Sequence, residues 1–435
     1  MFMVLLLTAS SRTAHAEGVL SPLHVEGPWL VNAEGVRKNL HGFCETYSPW
    51  FNERGTKWTG TDVNGCLHYH RGLIDRILDA GWEMTFVRQH MDPHWTNNLP
   101  AGVYYVPEND IRYFDFERFK KYLDEVYVPM AEYAVAKGLY VVMRPPGVCP
   151  ENICIGDAYH QYLLKIWEYV AQHPKLQNNG CVMFELANEP INIINNNGTR
   201  AGDEEMTAYM QAIVDVIRKH SNNILLVPGL GYQSHYEGFK NYPIKGENIG
   251  FAVHCYPGWY NGGWGQGDIT VNYAGFKGGW EQQIGPVAND YPIVVTEMDW
   301  APSRYESSWG KSNTGTAGAT GFGANFHKIV DDTKNVSWVL FTDMHLLADY
   351  DDNAPDGQTF LTDPEACPRP CYRWFKAYAT QETTAIDELH ADTSHRTAAY
   401  YSIDGRKLAA PQRGVNIVKV TENNGKTKTL KVCYK

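Results

Sequence analysis

Val182-Met183-Phe184-Glu185-Leu186-Ala187-Asn188-Glu189-Pro190 is an apolar run that breaks into a polar tip. Its β-branched and aromatic members suit a strand covered on both faces, and the Asn-Glu-Pro closes it at the C-terminal end. Proline continues neither a strand nor a helix, so Asn188 and Glu189 are expected at a fixed exit from a sheet. A glutamate that merely flanks a turn is the plain alternative. The tripeptide alone does not separate the two, and the rest of the chain has to decide.

Outward from this stretch, strand-like and helix-like segments alternate. Strands are expected at Val36 to Phe43, Met84 to Arg88, Leu139 to Met143, Val182 to Ala187, Ile224 to Val227, Ile249 to Val253, Ile293 to Thr296 and Val336 to Phe341. Helices are expected at Leu67 to Ala80, from Asp115 to a Lys137-Gly138 stop, at Asp157 to Ala171, Asp203 to Lys219, around Phe276 to Ala288, and at Gly318 to Asp332. In the second of these, Phe116, Phe119, Leu123, Val126, Met130 and Ala134 recur at helical spacing. Eight short buried strands, each followed by a helix, predict an α/β fold: a parallel (β/α)8 TIM barrel, in which functional groups gather at strand C-termini.

Those ends carry polar residues. Strand two ends in Val87-Arg88, strand three in Arg144, strand four in Asn188-Glu189, strand six in His254-Cys255-Tyr256 and strand seven in Thr296-Glu297. Glu189 and Glu297, far apart in sequence, would share one rim. Paired carboxylates are what glycosidic hydrolysis needs, one protonating the leaving oxygen while the other attacks the anomeric carbon; a separation of about 5–5.5 Å goes with retention. Arg88, Asn188, His254 and Tyr256 would keep the nucleophile ionised, and a neighbouring negative charge would raise the acid's pKa.

Composition narrows the partner. The 435 residues are 43% hydrophobic and 20% charged, enough for a large core, and the net charge of -11, with no basic stripe to neutralise phosphates, argues against a nucleic-acid partner. A neutral substrate is expected, with no nucleic acid, no cofactor and no metal. Aromatics reach 13%, with 13 Trp and 27 Tyr, many in Gly-rich polar stretches such as Tyr256 to Trp264. Aromatic faces at a surface suit sugar rings, although most of these rings are expected in the core or anchoring loops.

The motifs Val87-Arg88, Leu186-Ala187-Asn188-Glu189-Pro190, His254-Cys255-Tyr256 and Thr296-Glu297, with the opening His24-Val25-Glu26-Gly27 to Asn39-Leu40-His41-Gly42, resemble glycoside hydrolase family 5, a cellulase-like family of the clan A retaining glycosidases. The resemblance covers roughly Glu17 to Thr380. It implies Glu189 as acid/base, Glu297 as nucleophile and Asn188 as a partner of the sugar 2-hydroxyl. There are two departures. The family's His at the end of strand three is replaced by Met143-Arg144-Pro145-Pro146-Gly147, with His90 and His94 as candidates for its space. The family's strand-eight Trp platform has Trp338, Phe341 and His345 as candidates, of which Trp338 is the choice. Further platforms are expected from Trp95, Trp259 and Trp264, together with Trp50, Phe51 and Trp58.

The ends of the chain read differently. Phe2 to Leu7 followed by Ala14-His15-Ala16 has the form of an export signal over residues 1–16, without the usual charged start. No stretch is long and apolar enough to span a bilayer. The catalytic domain is placed at 17–382. Residues 383–435 read as short alternating strands with turns at Asp404-Gly405 and Asn424-Gly425. This unit resembles the C-terminal sorting domain of the Bacteroidetes type IX secretion route, which implies a bacterial enzyme, secreted or held at the cell surface; a plain β-sandwich fragment or carbohydrate-binding appendage is the alternative. Of nine cysteines, Cys149 with Cys154 and Cys367 with Cys371 look like loop staples, Cys44 with Cys66 a third pair, and Cys181 and Cys255 buried thiols. Zinc spacing is absent. Asp349 to Asn353 reads as a solvated loop, lacking the glycine and spacing of a calcium loop.

The expected function is that of a monomeric endo-β-1,4-glucanase acting on cellulose or mixed-linkage β-glucan. A β-mannanase or broad glucomannan hydrolase is the alternative within enzymes. A barrel that only binds glycan at the cell surface is the alternative outside them, and a missing glutamate would have marked it.

Overall fold

The computed structural model describes residues 20–45, 50, 61–103, 106–256, 259–260, 273–298, 322–340, 397–402, 405–408, 410, 412, 414–421 and 427–434. The chain divides into two compact units, Met1–Lys376 and Ala377–Lys435.

Eight parallel strands close the first unit into a barrel: β1 (His41–Glu45), β2 (Phe86–His90), β3 (Tyr140–Arg144), β4 (Val182–Glu185), β5 (Leu225–Pro228), β6 (Ile249–Cys255), β7 (Ile293–Met298) and β8 (Val336–Leu340). Neighbours in sequence are neighbours in space. Closure is made by β8 on β1, where Trp338 pairs with His41. Every residue of these strands is buried, which is why each reads as a near-continuous apolar run rather than an alternating one.

Helices cover the outside. In Asp203–Arg218 the buried positions Met206, Tyr209, Met210, Ile213, Val214 and Ile217 form one stripe, and Glu205 reaches back to the Gly202 N–H at 2.9 Å to cap the first turn. Asp157 caps Ala158–Gln172 through the His160 N–H. The helix expected from Asp115 is not uniform: Phe116–Tyr122 and Val128–Ala136 are joined by a π-helical turn at Leu123–Tyr127. Pro129 is the cause, because it has no N–H to give to the carbonyl of Glu125 and the wider turn absorbs the missing bond.

The first expected strand, Val36 to Phe43, is two elements. Arg37–Lys38 belongs to a small antiparallel sheet with Leu23–Glu26 and Trp29–Asn32, and the barrel strand begins only at His41. This sheet packs against the N-terminal end of the barrel. Leu23 N–H bonds to Gly180 O at 2.9 Å and Val25 N–H to Asn248 Oδ1 at 2.9 Å, both acceptors lying just before barrel strands. Leu23 and Leu30 share one apolar cluster with Phe86, Val142, Met183, Leu226, Ala252 and Val294. Two residues further along four of these strands stand Arg88, Arg144, Glu185 and His254, on the same inward face because side chains alternate along a strand. An apolar floor thus lies below a polar layer.

The second unit holds a four-stranded antiparallel sheet of Lys407–Leu408, Thr397–Ser402, Gly414–Thr421 and Thr427–Tyr434, in that order. The first turn has Gly405 at φ 86 with its N–H on Ser402 O, as the Asp-Gly pair predicts. The Asn-Gly turn lies outside the described residues, as do the signal-like segment 1–16, Trp264, Phe51, Trp58, Phe341, His345, Cys367, Cys371 and Asp349 to Asn353. Among the described residues no helix is long and apolar enough to cross a membrane.

The expected staple of Cys149 and Cys154 does not form; both are buried thiols, as are Cys66, Cys181 and Cys255. Cys154 Sγ is taken by Asn196 Oδ1 at 3.2 Å instead. The Cys44–Cys66 pairing is not made either, and Cys44 Sγ faces Arg88 Nη1 at 3.8 Å.

Candidate active site

The site is built on one guanidinium. Arg88, on β2 and wholly buried, donates from Nε to Glu185 Oε2 at 2.7 Å and from Nη2 to Glu185 Oε1 at 2.9 Å. Two more of its hydrogens reach the rim: Nη1 to Glu297 Oε1 at 2.6 Å and Nη2 to Asn188 Oδ1 at 2.7 Å. A planar fork of donors suits this double carboxylate pairing as an ammonium would not. Burial acts to lower the Arg88 pKa, but Glu185 and Glu297 more than offset it and the group stays cationic.

Strand irregularity aims the second carboxylate. Val253 pairs with Val295, yet His254 pairs with Glu297, so β7 carries one extra residue there. Without this shift, Thr296 and Glu297 would face opposite sides. With it both reach the polar layer: Thr296 donates to Glu185 Oε1 at 2.9 Å and Glu297 meets Arg88. Tyr256 completes Glu297's bonding, its hydroxyl donating to Oε2 at 2.5 Å. Burial would raise the Glu297 carboxyl; the charges of His254 and Arg88 and the Tyr256 hydroxyl outweigh it and hold the group well below the usual carboxylate range.

Glu189 sits differently. Its side chain is 27% exposed against 9% for Glu297, and it meets His254 Nδ1 at 3.0 Å. The ring of His254 also lies 3.5 Å from Glu297 Oε2, so one imidazole edge touches both carboxylates. Glu189, His254 and Glu297 offer polar atoms within 4.8 Å of one another, and among the described residues they form the group able to surround a cation. Both Glu297 oxygens already accept hydrogen bonds from Arg88 and Tyr256, and a divalent ion would stand against the guanidinium. The donor set fits an acid pair better than a metal centre. Such a pair can deliver a proton from the more exposed carboxyl while the buried one stays anionic.

The family model for cellulase (glycosyl hydrolase family 5) matches residues 52–342. The chain belongs to glycosyl hydrolase family 5. An endoglucanase of Bacillus sp. (strain KSM-635) is 28% identical over 258 residues, 56% of this chain and 24% of that protein, so the chain spans about a quarter of the length of this curated relative. Among solved structures, a β-glucanase of Saccharophagus degradans matches at 18% identity and a TM-score of 0.55, over 84% of this chain and 94% of its own. A protein of Cytophaga hutchinsonii matches at 15% identity and a TM-score of 0.51, over 84% and 97%. At these identities the likeness to the two structures is one of fold.

In this family 5 chain the structure brings Arg88, Asn188, Glu189, His254, Tyr256 and Glu297 into one cluster. Two expected platforms are not there. Trp338 is 0% exposed and stacked on His41 at 5.5 Å; its neighbour Val339 belongs to the apolar cluster inside the barrel, so the indole points to the opposite face of the strand. Trp95 is also 0% exposed, edge-on to Tyr122 at 4.8 Å, with its indole N–H on Trp50 O. A ring with no exposed face cannot carry a sugar. Trp259 is half-buried and edge-on to Tyr256 at 5.3 Å, next to the cluster. At the end of β3, Arg144 is buried against His90, its Nη2 2.7 Å from Nδ1, and donates to Gly147 O. Burial, with Arg144 and Arg88 nearby, holds His90 neutral.

Two members of the cluster escaped the sequence reading. Glu185 reads as part of an apolar strand, although a carboxylate inside such a run has to be paired and so points to a buried cation. Its burial would raise the carboxyl, but Arg88, His254 and the Gln233 amide keep it low. Gln233 comes from the loop after β5, where no periodicity marks it.

Proposed function

We propose that the chain is a retaining endo-β-1,4-glucanase, with Glu189 as acid/base and Glu297 as nucleophile. The observation that carries the reading is the approach of the two carboxylates, whose oxygens lie within 4.8 Å of each other beside His254. That approach falls short of the roughly 6.5–9.5 Å at which an inverting pair admits both the sugar and an attacking water, which favours double displacement over a single inverting attack. The division of roles follows from environment. Glu297, buried and held anionic by Arg88 and Tyr256, suits attack at the anomeric carbon; Glu189, more exposed, suits proton exchange with the leaving oxygen and then with water. Glu189, having passed its proton to the leaving oxygen as Glu297 forms the glycosyl ester, stands as a carboxylate and takes a proton from the attacking water in the second step.

The β-1,4-glucan substrate is supported by the names of the relatives, an endoglucanase and a β-glucanase, the latter also solved with cellotetraose. Asn188, held by Arg88 at 2.7 Å, would meet the 2-hydroxyl of the reacting sugar. A polymer of this kind does not cross a membrane intact, so the reading carries an extracellular place of action, and the C-terminal unit is proposed to serve sorting to the surface.

Reducing-sugar release from carboxymethyl cellulose, barley glucan and mannan, side by side, tests the substrate class, with proton NMR of the first-formed reducing ends for the stereochemistry. Glucan above mannan, with the β anomer appearing first, is the expected result. An initial α signal would sink retention, and mannan as the best substrate would move the enzyme to the other class.

A further inference from the structure

We propose that Gln233 is a positioning residue for Glu189, fixing the carboxyl for proton transfer to the leaving group. The inference rests on the reading of Glu189 as acid/base given above.

After β5 the chain makes a turn that L residues rarely adopt. Gly231, Tyr232 and Gln233 stand consecutively at φ 61, 61 and 62, and Glu189 opposite them is at φ 54. Two non-glycine residues in succession in the left-handed region persist only where their surroundings hold them there, and such strain gathers at functional positions. Here the surroundings are the three residues that begin with the acid. Gly231 N–H bonds to Ile191 O at 3.1 Å, Tyr232 N–H to Pro190 O at 3.1 Å, and Glu189 N–H to the Gln233 side-chain Oε1 at 2.7 Å. The left-handed turn lays its bonds along 189–191 after the strand pairing of β4 has ended.

Gln233 is wholly buried and uses both ends of its amide. While Oε1 accepts from Glu189, Nε2 donates to Glu185 Oε1 at 3.0 Å. Only one orientation of the amide satisfies a backbone donor on one side and a carboxylate on the other. Its main-chain carbonyl is held in turn by the Tyr236 hydroxyl at 3.0 Å. Glu185 is the carboxylate that grips Arg88, and Arg88 grips Glu297. One side chain therefore ties the backbone of the proton donor to the network that seats the nucleophile. Methionine would fill the same space and make neither bond; glutamate would keep the acceptor, lose the donor and place a second charge beside Glu185.

The leaving group separates positioning from mere folding. Aryl cellobiosides with a poor leaving group, such as phenyl, need the proton in the first bond-breaking step, whereas 2,4-dinitrophenolate departs without it. Rates are normalised to active sites counted with 2,4-dinitrophenyl 2-deoxy-2-fluoro-β-cellobioside, so that a poorly folding variant still reports on its folded fraction. Gln233→Met should lower kcat/KM for phenyl β-cellobioside at least about tenfold and for the 2,4-dinitrophenyl substrate less than about threefold. Gln233→Glu should show the same imbalance. Glu189→Ala, the reference, should show it more strongly, with azide restoring turnover of the dinitrophenyl substrate. Equal losses on both substrates in both Gln233 variants would overturn the proposal and leave Gln233 a packing residue. A Glu189→Ala enzyme without the imbalance would instead overturn the assignment of Glu189, and with it the reading on which this inference stands.

Discussion

Arg88 bonds Glu297 at 2.6 Å through the guanidinium whose other edge is clasped by Glu185 at 2.7 and 2.9 Å. The residue that looks like a simple partner of Glu297 is thus itself seated by a second buried carboxylate. Charge balance in the barrel mouth depends on all three. Electrostatic stabilisation that is organised in advance of the reaction acts best in such a water-poor site, since nothing needs to reorient when the charge moves.

The first expectation concerns the paired glutamates. Glu297→Gln and Glu189→Gln should each remove nearly all turnover on polysaccharide and leave the fold intact, because a positioned acid or nucleophile is worth orders of magnitude in rate. Circular dichroism checks the fold and reducing-sugar release the rate. A folded variant that keeps more than about a tenth of the wild-type rate, a loss of only ~1.4 kcal/mol in the barrier, would end that residue's assignment.

Tyr256→Phe tests what keeps Glu297 ionised. Burial favours the neutral carboxyl, and the phenol is one of four groups that oppose it, with His254, Arg88 and Arg144. Its removal destabilises the anion, so the Glu297 pKa rises and a smaller fraction is ionised at any acidic pH. The acid limb of kcat/KM should therefore move to higher pH by about one unit, the worth of one hydrogen bond to a charge, while the alkaline limb stays. An acid limb that does not move, or moves down, would show that the phenol does not control this group.

Much of this arrangement was legible in the sequence and some was not, for reasons that differ by residue. Arg88, Asn188, Glu189, His254 and Glu297 interrupt apolar strands at their C-terminal ends, where a polar side chain has no structural excuse, and the eight strands themselves stood out because burial on both faces leaves unbroken apolar runs. The extra residue on β7 left no such mark, since Val294-Val295-Thr296-Glu297 reads alike with or without it. Trp95 and Trp338 misled because an indole that anchors a loop and one that stacks on a sugar have the same neighbours in sequence; only burial tells them apart. Gln233 was invisible for the opposite reason. Its role is written in a backbone conformation that nothing in Leu230-Gly231-Tyr232-Gln233 beyond one glycine announces.

Glu185→Gln should reveal how far the core of the site holds the barrel together. Replacing the carboxylate leaves Arg88 buried with Glu297 as its remaining charged partner, and breaking a buried pair from one side costs about 3 kcal/mol or more. The Glu185 carboxyl is lowered in the folded protein, so its contribution is present above the unfolded pKa near 4 and is lost as pH falls through the folded value. The gap between wild type and Glu185→Gln, measured by urea unfolding with tryptophan fluorescence, should be full at neutral pH and narrow in acid. A gap that widens as pH falls would contradict the assigned sign.

The mode of attack turns on aromatic contacts beyond the reacting ring. Trp259 is half-buried and touches Tyr256, whose hydroxyl holds Glu297, so a sugar stacked on its indole would lie near the reacting ring. Stacking adds roughly 0.5–1.5 kcal/mol per aromatic contact, and binding energy from remote rings can be used to lower the barrier at the reacting one. For an endo-acting enzyme, kcat/KM should rise with chain length from cellobiose to cellohexaose. Trp259→Ala should lose about three- to tenfold on the long oligosaccharides, as that stacking range implies, and much less on cellobiose. If the wild-type profile were flat, or if glucose were the sole early product from cellohexaose, the barrel mouth would be a closed pocket. Trp259 would then serve to brace Tyr256 rather than to carry substrate, and its replacement would slow every chain length alike.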